Sequence, residues 1–261
     1  KDRSANKYTF VGNLKRPFDT IQWLCPKSQA SNKSFGFLFY ETLDGYNFRS
    51  IEKLLEQDLV TEPVRYEKPD RPVEGPFRIL KNNLNFSNDI GMNLRMGMYA
   101  NKTIYLDIAN QTKQVVDFKI TDLKLPRPPK LLDGIEDYPS RLMFRISDSG
   151  VSQKGSKKKD IQKENELAVY QNKSYIRNNL LFSQSLNISV PLNPDLRAGE
   201  MLELYFPLKK GDKNIKPVGS YGTNKDNDLS GLYLISELRH MIGGGNSETQ
   251  LKLIRDVFSA S

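Results

Sequence analysis

The end of the chain constrains the fold most, because it holds two strand-like arms with glycines between them. The arms span residues 230–242 and 248–257, and residues 243–245 are all glycine. Glycine supplies the positive φ angles that a tight reversal needs. The second arm has the period of two expected of a half-buried strand, with one face formed by Thr249, Leu251, Leu253 and Val257 and the other by Gln250, Lys252 and Asp256. This pattern predicts a β-hairpin, and an isolated hairpin needs more sheet to be stable in water.

The residues before this hairpin supply candidate strands for that sheet. Residues 182–190 alternate strictly, and their apolar face consists of Phe182, Leu186, Ile188 and Val190. Residues 201–206 predict a further strand, and residues 164–180 have the composition of a helix. Residues 164–261 are therefore predicted to form a C-terminal domain, a helix followed by a small antiparallel barrel or sandwich.

The N-terminal part of the chain predicts a small α/β unit. Residues 1–16 are basic and polar, and Pro17 then opens a short helix, since proline suits the first helical position. Residues 35–41 and 46–48 predict two strands joined by a turn at Asp44-Gly45. Ser50 stands where a helix N-cap is expected, before one or two further helical turns. We therefore assign residues 17–60 to a helix, a hairpin and a second helix.

The middle of the chain alternates between extended and strand-like segments. Prolines punctuate residues 61–76, which predicts a linker or wrapping segment. Residues 77–147 predict a β-rich domain with strands at 103–108, 115–120 and 141–146. Residues 148–163 have almost no apolar content and predict a mobile surface loop. The fold class expected from the residues is mainly β with an α/β insertion (α+β), in several domains.

Composition narrows the possible functions only moderately. The chain has 261 residues, 38% hydrophobic content, a net charge of +8 and a pI of about 9.3, with a mean hydropathy of −0.58. A polar chain of this kind often completes its burial against other subunits, and its basic balance suggests an anionic partner such as nucleic acid. The basic excess is spread thinly, however, except at Lys157-Lys158-Lys159. No apolar run reaches the length of a membrane span, and no signal peptide is visible.

The candidate reactive residues do not assemble into a catalytic pattern. His240 is the only histidine, and period-two alternation places it on the strand face of Leu238 and Leu234, as a structural residue. Cys25 has no CxxC partner and is expected to be buried or inert. The sequence predicts no enzyme, no cofactor and no metal site. The aromatic strand at 35–40 could stack on single-stranded nucleic acid, although core and interface packing is the favoured interpretation.

Two groups of segments carry a family resemblance. The first comprises residues 17–24 and 36–51, and the second comprises 186–191, 196–199, 204–207 and 230–236 with the residues that close the final hairpin. Together they resemble the baseplate hub protein of contractile-tailed bacteriophages, which is related to the hub domains of type VI secretion spikes. The positions that carry the resemblance are Pro17, Trp23, Phe37, Phe39, Asp44, Gly45, Phe48, Ser50, Gly199, Pro207, Gly231, Tyr233, His240, Thr249, Arg255 and Asp256.

The resemblance implies a structural protein of the virion tail that assembles in the host cytoplasm. It implies a homotrimer in which each subunit gives two similar tube-type β-barrels to a pseudo-sixfold ring. That ring joins the tail tube, or a tube-initiator protein, to the central spike; it also contacts baseplate wedge proteins and lets genomic DNA pass. In this chain the first barrel is largely absent, residues 1–16 read as the exit from it, and residues 164–261 hold the second. A soluble single-stranded nucleic-acid-binding module stays open as the alternative.

Overall fold

The computed structural model describes residues 2–12, 14–61, 64–66, 78–86, 90–108, 111–123, 135, 137–146, 151–153, 160–206, 229–244 and 247–256. The chain divides into a first unit, Lys1–Lys53 with Asn88–Leu181, and a second unit, Leu54–Ser87 with Phe182–Ser261. The boundaries of these units differ from those of the domains predicted from the sequence. Residues 54–87, which include the predicted linker, belong with the C-terminal strands, whereas the helix before those strands belongs to the first unit.

The described residues are mainly β with four α-helices, in agreement with the predicted class. The helices are α1 Pro17–Leu24, α2 Ile51–Leu55, α3 Ile90–Met96 and α4 Asp160–Leu181. Short 3-10 turns cover Cys25–Lys27 and Ile120–Leu123. The strands are β1 Tyr8–Phe10, β2 Phe37–Thr42, β3 Gly45–Ser50, β4 Val64–Tyr66, β5 Arg78–Ile79, β6 Lys81–Phe86, β7 Ala100–Asp107, β8 Thr112–Lys119, β9 Arg141–Ile146, β10 Val151–Gln153, β11 Gln184–Pro191, β12 Met201–Tyr205, β13 Gly231–Met241 and β14 Glu248–Arg255.

The first unit is built from three small sheets and the long helix α4. Strands β2 and β3 form the predicted hairpin, β1 pairs with β10, and a three-stranded sheet has the order β8-β7-β9. Helix α4 covers one face of that three-stranded sheet, where Tyr105, Val116 and Ala168 form an apolar cluster. A buried ion pair fixes α4 elsewhere in this unit: Arg177 Nε donates to Glu52 Oε1 at 2.7 Å.

The second unit is one seven-stranded sheet of order β5-β4-β12-β13-β14-β11-β6. The predicted hairpin is confirmed as β13 and β14, and the predicted strands at 182–190 and 201–206 are β11 and β12. The sheet is not purely antiparallel as predicted, because β4 pairs in parallel with both β12 and β5. Strand β4 arises inside the predicted linker, and Ile79 joins the core that the C-terminal strands form.

The sheet curls around an apolar core. One face of each main strand supplies this core, and its buried members are Ile79, Leu186, Ile188, Val190, Leu196, Leu202, Leu204, Phe206, Tyr233, Ile235, Leu251 and Leu253. Period-two alternation therefore located the core residues of β11 and β14. Phe182 is an exception, since it precedes β11 and is about half exposed. Asp256, predicted on the polar face of β14, is buried.

A β-bulge at Ser236 reverses the phase of β13. Before it, Leu234 pairs with Ile254 and Ile235 pairs with Leu253; after it, Leu238 pairs with Leu251 and His240 with Thr249. Paired residues of an antiparallel sheet share a face, and a bulge inserts one extra residue into one strand. His240 and Leu238 therefore lie on the core face, while Leu234 lies on the opposite face. The prediction that all three share one face was wrong for this reason.

Candidate assembly surfaces

Aromatic side chains gather around α1 and the β2–β3 hairpin in the first unit. Phe37 is buried and stacks on Phe48 with ring centroids 4.7 Å apart. Phe39 packs on Phe18 at 5.5 Å, and Phe18 packs on Tyr46 at 4.8 Å. The rings of Phe18, Phe39, Tyr46 and Phe48 line an aromatic groove of about 470 Å³. The rings pack on each other, which agrees with the packing interpretation favoured from the sequence.

The remaining motif residues of the first unit shape that hairpin and helix. Pro17 is the first residue of α1. Trp23 is half-buried and meets Phe10 edge to face at 5.2 Å, and Lys27 Nζ lies 3.8 Å from the centroid of the Trp23 ring. Asp44 precedes Gly45 in the turn between β2 and β3, as predicted.

Ser50 is not the N-cap that the sequence indicated. It is the last residue of β3 and is fully buried, and its Oγ has no hydrogen-bond partner among the residues that the structure describes. Its backbone N–H donates to Asp2 Oδ2 at 3.0 Å. Burial raises the pKa of Asp2, but this hydrogen bond and the nearby Arg49 and Lys53 together bring that pKa below its ordinary value.

At one end of the seven-stranded sheet, Gly231 allows an arginine to pack against the backbone. Gly231 has a φ of +135°, and a Cβ added there would lie 3.4 Å from Arg255 Cζ. The Arg255 guanidinium donates to the Ser230 carbonyl at 3.0 Å and lies 5.5 Å from the Tyr233 ring. The Tyr233 hydroxyl donates to the Leu229 carbonyl at 2.8 Å. These contacts explain why glycine, tyrosine and arginine occur together at this end of the hairpin.

At the other end of β13, His240 has a structural partner. Its Nδ1 lies 3.0 Å from Thr249 Oγ1, and the fully buried Thr249 also accepts the Asn193 N–H at 3.0 Å. Gly199 donates its N–H to the Ile235 carbonyl at 2.8 Å, next to the bulge. Pro207 lies outside the described residues. Thr249 therefore contacts both His240 and the segment that follows β11.

Two polar rows cross four strands on the outer face of the sheet, and sequence reasoning missed them. Paired register places Asn83, Asn187, Lys252 and Glu237 in one row, and Lys81, Ser189, Gln250 and Arg239 in the next. These side chains line a shallow groove of about 500 Å³. Lys252 Nζ and Glu237 Oε1 are 2.7 Å apart within the first row. The rows could not be read from the sequence because they depend on the register of β6 and on the bulge in β13.

A second missed surface is the bare face of the three-stranded sheet in the first unit. Side chains of β7, β8 and β9 that point away from α4 are largely apolar, and the exposed ones are Leu106, Val115, Leu142, Phe144 and Ile146. In β9 the buried residue on the α4 side is Met143, while Arg145 packs over the Tyr175 ring of α4 at 4.6 Å. Alternation in β9 marks the Leu142, Phe144 and Ile146 face clearly, but it predicts burial where the structure shows exposure.

The described residues offer little reactive chemistry. Burial raises the pKa of the Cys25 thiol to about 11, and Cys25 Sγ lies 3.3 Å from the Ile21 carbonyl, as expected of an inert thiol. Burial likewise raises the pKa of Tyr105 to about 12. Among the described residues, no three His, Cys, Asp or Glu side chains come close enough to hold a metal ion. The predicted loop lysines 157–159 lie outside the described residues.

No helix in the described part of the chain combines the length and apolar character needed to cross a bilayer. No protein-family model matches the chain, and no curated protein is similar to it. One solved structure with a similar arrangement is described as the crystal structure of the tail protein from Neisseria meningitidis MC58. It is 12% identical, with a TM-score of 0.38 over 77% of this chain, and the match spans 47% of that protein.

Proposed function

We propose that this chain is a structural subunit of the baseplate hub of a contractile phage tail, acting through subunit contacts and not through catalysis. The sequence resemblance supplies the specific hypothesis. The observation that supports it best is the way in which the seven-stranded sheet ends. Its two edge strands, β5 and β6, are consecutive in the chain and are separated only by Leu80.

That single stretch of chain supports a tube-type barrel. Residues 78–79 pair with β4, residues 81–86 pair with β11, and the Leu80 N–H donates to the Ser189 carbonyl at 2.7 Å. A sheet whose two edges are consecutive segments of one stretch of chain favours closure into a barrel, and its apolar core would fill the interior. The opposite face is polar near His240, and it carries the buried apolar residues Met201, Leu234 and Ile254 further along the strands. In a hub, such barrels from neighbouring subunits would form the wall of an axial channel.

The polar rows fit a surface past which DNA moves without being held. They contain three basic side chains, Lys81, Lys252 and Arg239, and Glu237 already pairs with Lys252. Proteins bind duplex DNA largely by neutralising several phosphates with lysine and arginine side chains. The amides and hydroxyls of these rows can form hydrogen bonds with DNA. Their few basic side chains, one of which is paired with Glu237, attract the phosphates only weakly. We propose that these rows face the channel.

The experiment that tests this function is a mass measurement combined with imaging. We expect native mass spectrometry to give masses in multiples of three chains, and electron microscopy to show a threefold ring with an axial opening. A purified chain that stays monomeric and yields no ring would overturn the hub proposal.

The same preparation distinguishes the alternative function. A hub subunit should bind single-stranded DNA weakly at physiological salt, whereas a nucleic-acid-binding module should bind tightly and lose affinity steeply as salt rises. Fluorescence anisotropy with a labelled oligonucleotide at low and high salt separates the two. A Lys81→Glu variant, changed in the polar rows, and a Lys7→Glu variant, changed at an exposed lysine of the first unit, show whether any binding maps to the proposed channel face.

A further inference from the structure

The outward face of the β8-β7-β9 sheet is organised as an interface. Register places Leu142, Lys102 and Asp117 in one row, Phe144, Ile104 and Val115 in the next, and Ile146, Leu106 and Lys113 in the third. Phe144 is 64% exposed and Ile146 is 69% exposed, although the opposite face of the same sheet is buried under α4. Monomeric proteins rarely expose contiguous apolar patches beyond a few hundred Å². We call this nine-residue surface the outer β7 face.

The outer β7 face is complementary to itself. Charges lie along β8, with Lys113 at one end, Val115 in the middle and Asp117 at the other end. A twofold axis that runs parallel to the sheet and midway between two facing copies, perpendicular to the strands and above Val115, turns β8 end for end. It would bring Lys113 of one copy opposite Asp117 of the other, twice.

The same axis also matches the apolar strand. Along β9 it sets Phe144 opposite its own symmetry mate and Leu142 opposite Ile146. Along β7, Ile104 meets Ile104, and Lys102 lies opposite Leu106, where its aliphatic stem can pack. Apolar side chains thus meet apolar side chains on the β9 side, and opposite charges meet on the β8 side. Isologous twofold contacts are the commonest in homo-oligomers, and two sheets can pack face to face with interdigitating side chains.

The area available is sufficient for a modest interface. The exposed apolar side chains of this face, with Ile108 just beyond β7, present on the order of 600 Å² per copy, against about 600 to 1,000 Å² per partner in stable complexes. The charges on the face are few, and Asp117 lies 3.3 Å from Lys102 in the same chain, so the rim is polar and nearly balanced. A largely apolar centre with a polar rim is the usual anatomy of a protein interface.

We propose that the outer β7 face binds the same face of a second copy of this chain, forming a twofold sandwich of two three-stranded sheets. This contact does not depend on the hub proposal. Twofold association alone gives a dimer, and twofold association combined with a threefold ring gives a hexamer. The number of chains in one particle therefore tests the two proposals separately. The twofold contact requires an even number of chains, and the hub ring requires a multiple of three.

The first test is the mass of the full chain by light scattering, over a range of concentrations. We expect an even number of chains, and a twofold fall in mass for Phe144→Asp. Tyr138→Asp is the matched control, since Tyr138 is 79% exposed and lies outside the face, and it should leave the mass unchanged. Circular dichroism shows whether each variant is folded. A monomer or a trimer for the wild type, or an unchanged mass for folded Phe144→Asp, would overturn the proposal.

The second test uses the charge pattern and is specific to the proposed axis. Lys113→Glu alone and Asp117→Lys alone each place like charges opposite one another, so each variant should associate more weakly than the wild type. An equimolar mixture of the two variants should associate again, because the carboxylate introduced at position 113 of one chain then faces the ammonium group introduced at position 117 of the other. Mixed species in native mass spectrometry support this pairing, and a mixture that associates no better than either variant alone contradicts it.

Discussion

The two main sheets of this molecule use the same alternation of side chains in opposite ways. In the second unit, the apolar faces of β11, β12, β13 and β14 are enclosed, and polar rows face outward near the His240 end. In the first unit, the most apolar face of β9 points outward, and the side under α4 includes buried polar residues such as Asn101 and Thr103. Alternation identifies which residues share a face, but it does not say which face the protein covers itself. An outward apolar face indicates that another molecule completes it.

The strongest test of this comparison is insertion of one alanine between Glu237 and Leu238. The extra residue shifts the period of two by one, and would drive Arg239 toward the core while turning Leu238 outward. We expect the second unit to lose its cooperative fold, observed as loss of the thermal transition in circular dichroism. Deletion of Ser236 is the control, because it removes the extra residue of the bulge and leaves the other residues of β13 opposite their present partners, so the thermal transition should remain. Equal behaviour of the two variants would refute the importance of the strand phase.

The next largest effect is the difference in stability lost when a side chain is truncated in the enclosed core of the second unit and on the exposed outer β7 face. Leu253 is fully buried in the second unit, and Leu253→Ala should lower the free energy of unfolding by about 2 to 5 kcal/mol through loss of burial and the cavity left behind. Phe144→Ala should cost under about 1 kcal/mol in a dissociated chain, because most of that ring is already exposed. Urea denaturation at low protein concentration measures both. Similar losses would mean that the outer β7 face is covered within the chain.

A smaller effect is expected where the second unit depends on backbone geometry. Gly231→Ala places a Cβ at a φ of +135° beside Arg255, and should cost about 1 to 2 kcal/mol through strain. Gly12→Ala is the control, because nothing lies within 4 Å of a Cβ added there and φ is not in the left-handed region; it should change stability by less than about 0.5 kcal/mol. Thermal denaturation of the two variants compares them, and equal melting temperatures would contradict the strain.

The smallest expected effect is the loss of stability of the first unit in acid, when Asp2 is protonated. The pKa of Asp2 is below its ordinary value in the folded chain, so its stabilising contribution is present above the unfolded pKa and is lost as pH falls through the folded pKa. Asp2→Asn should cost about 0.5 to 1 kcal/mol at neutral pH and nothing once the carboxyl is protonated. Melting curves at neutral and strongly acidic pH check this, and a difference that grows in acid would have the wrong sign.

The sequence predicted much of the second unit because the physical signals there are local. Gly243 and Gly244 have the positive φ angles expected of a reversal, and Thr249, Leu251 and Leu253 share the predicted buried face. The failures arise from long-range pairing. Parallel addition of β4 and the return of residues 78–86 to both edges of the sheet depend on contacts that no local pattern encodes.

The candidate surfaces were harder to predict than the fold. The motif residues of the resemblance mostly occupy structural positions, such as the Gly231–Arg255 contact and the His240–Thr249 pair. The polar rows require the register of four strands, so they become visible only when the sheet is assembled. The outer β7 face was visible in β9 as an alternating apolar stripe, but its exposure depends on α4 covering the opposite side. Exposure is a tertiary property, and sequence periodicity does not contain it.

The central position of β14 has a consequence for the order in which the chain can fold during synthesis. This strand lies between β13 and β11, so the sheet of the second unit cannot be completed until residue 255 has left the ribosome. Residues 64–66 and 78–86 are made much earlier and must wait for partners that come far later in the chain. Such delayed pairing leaves strand edges and apolar side chains exposed for longer. The second unit is thus where a translating chain would most need protection by a chaperone.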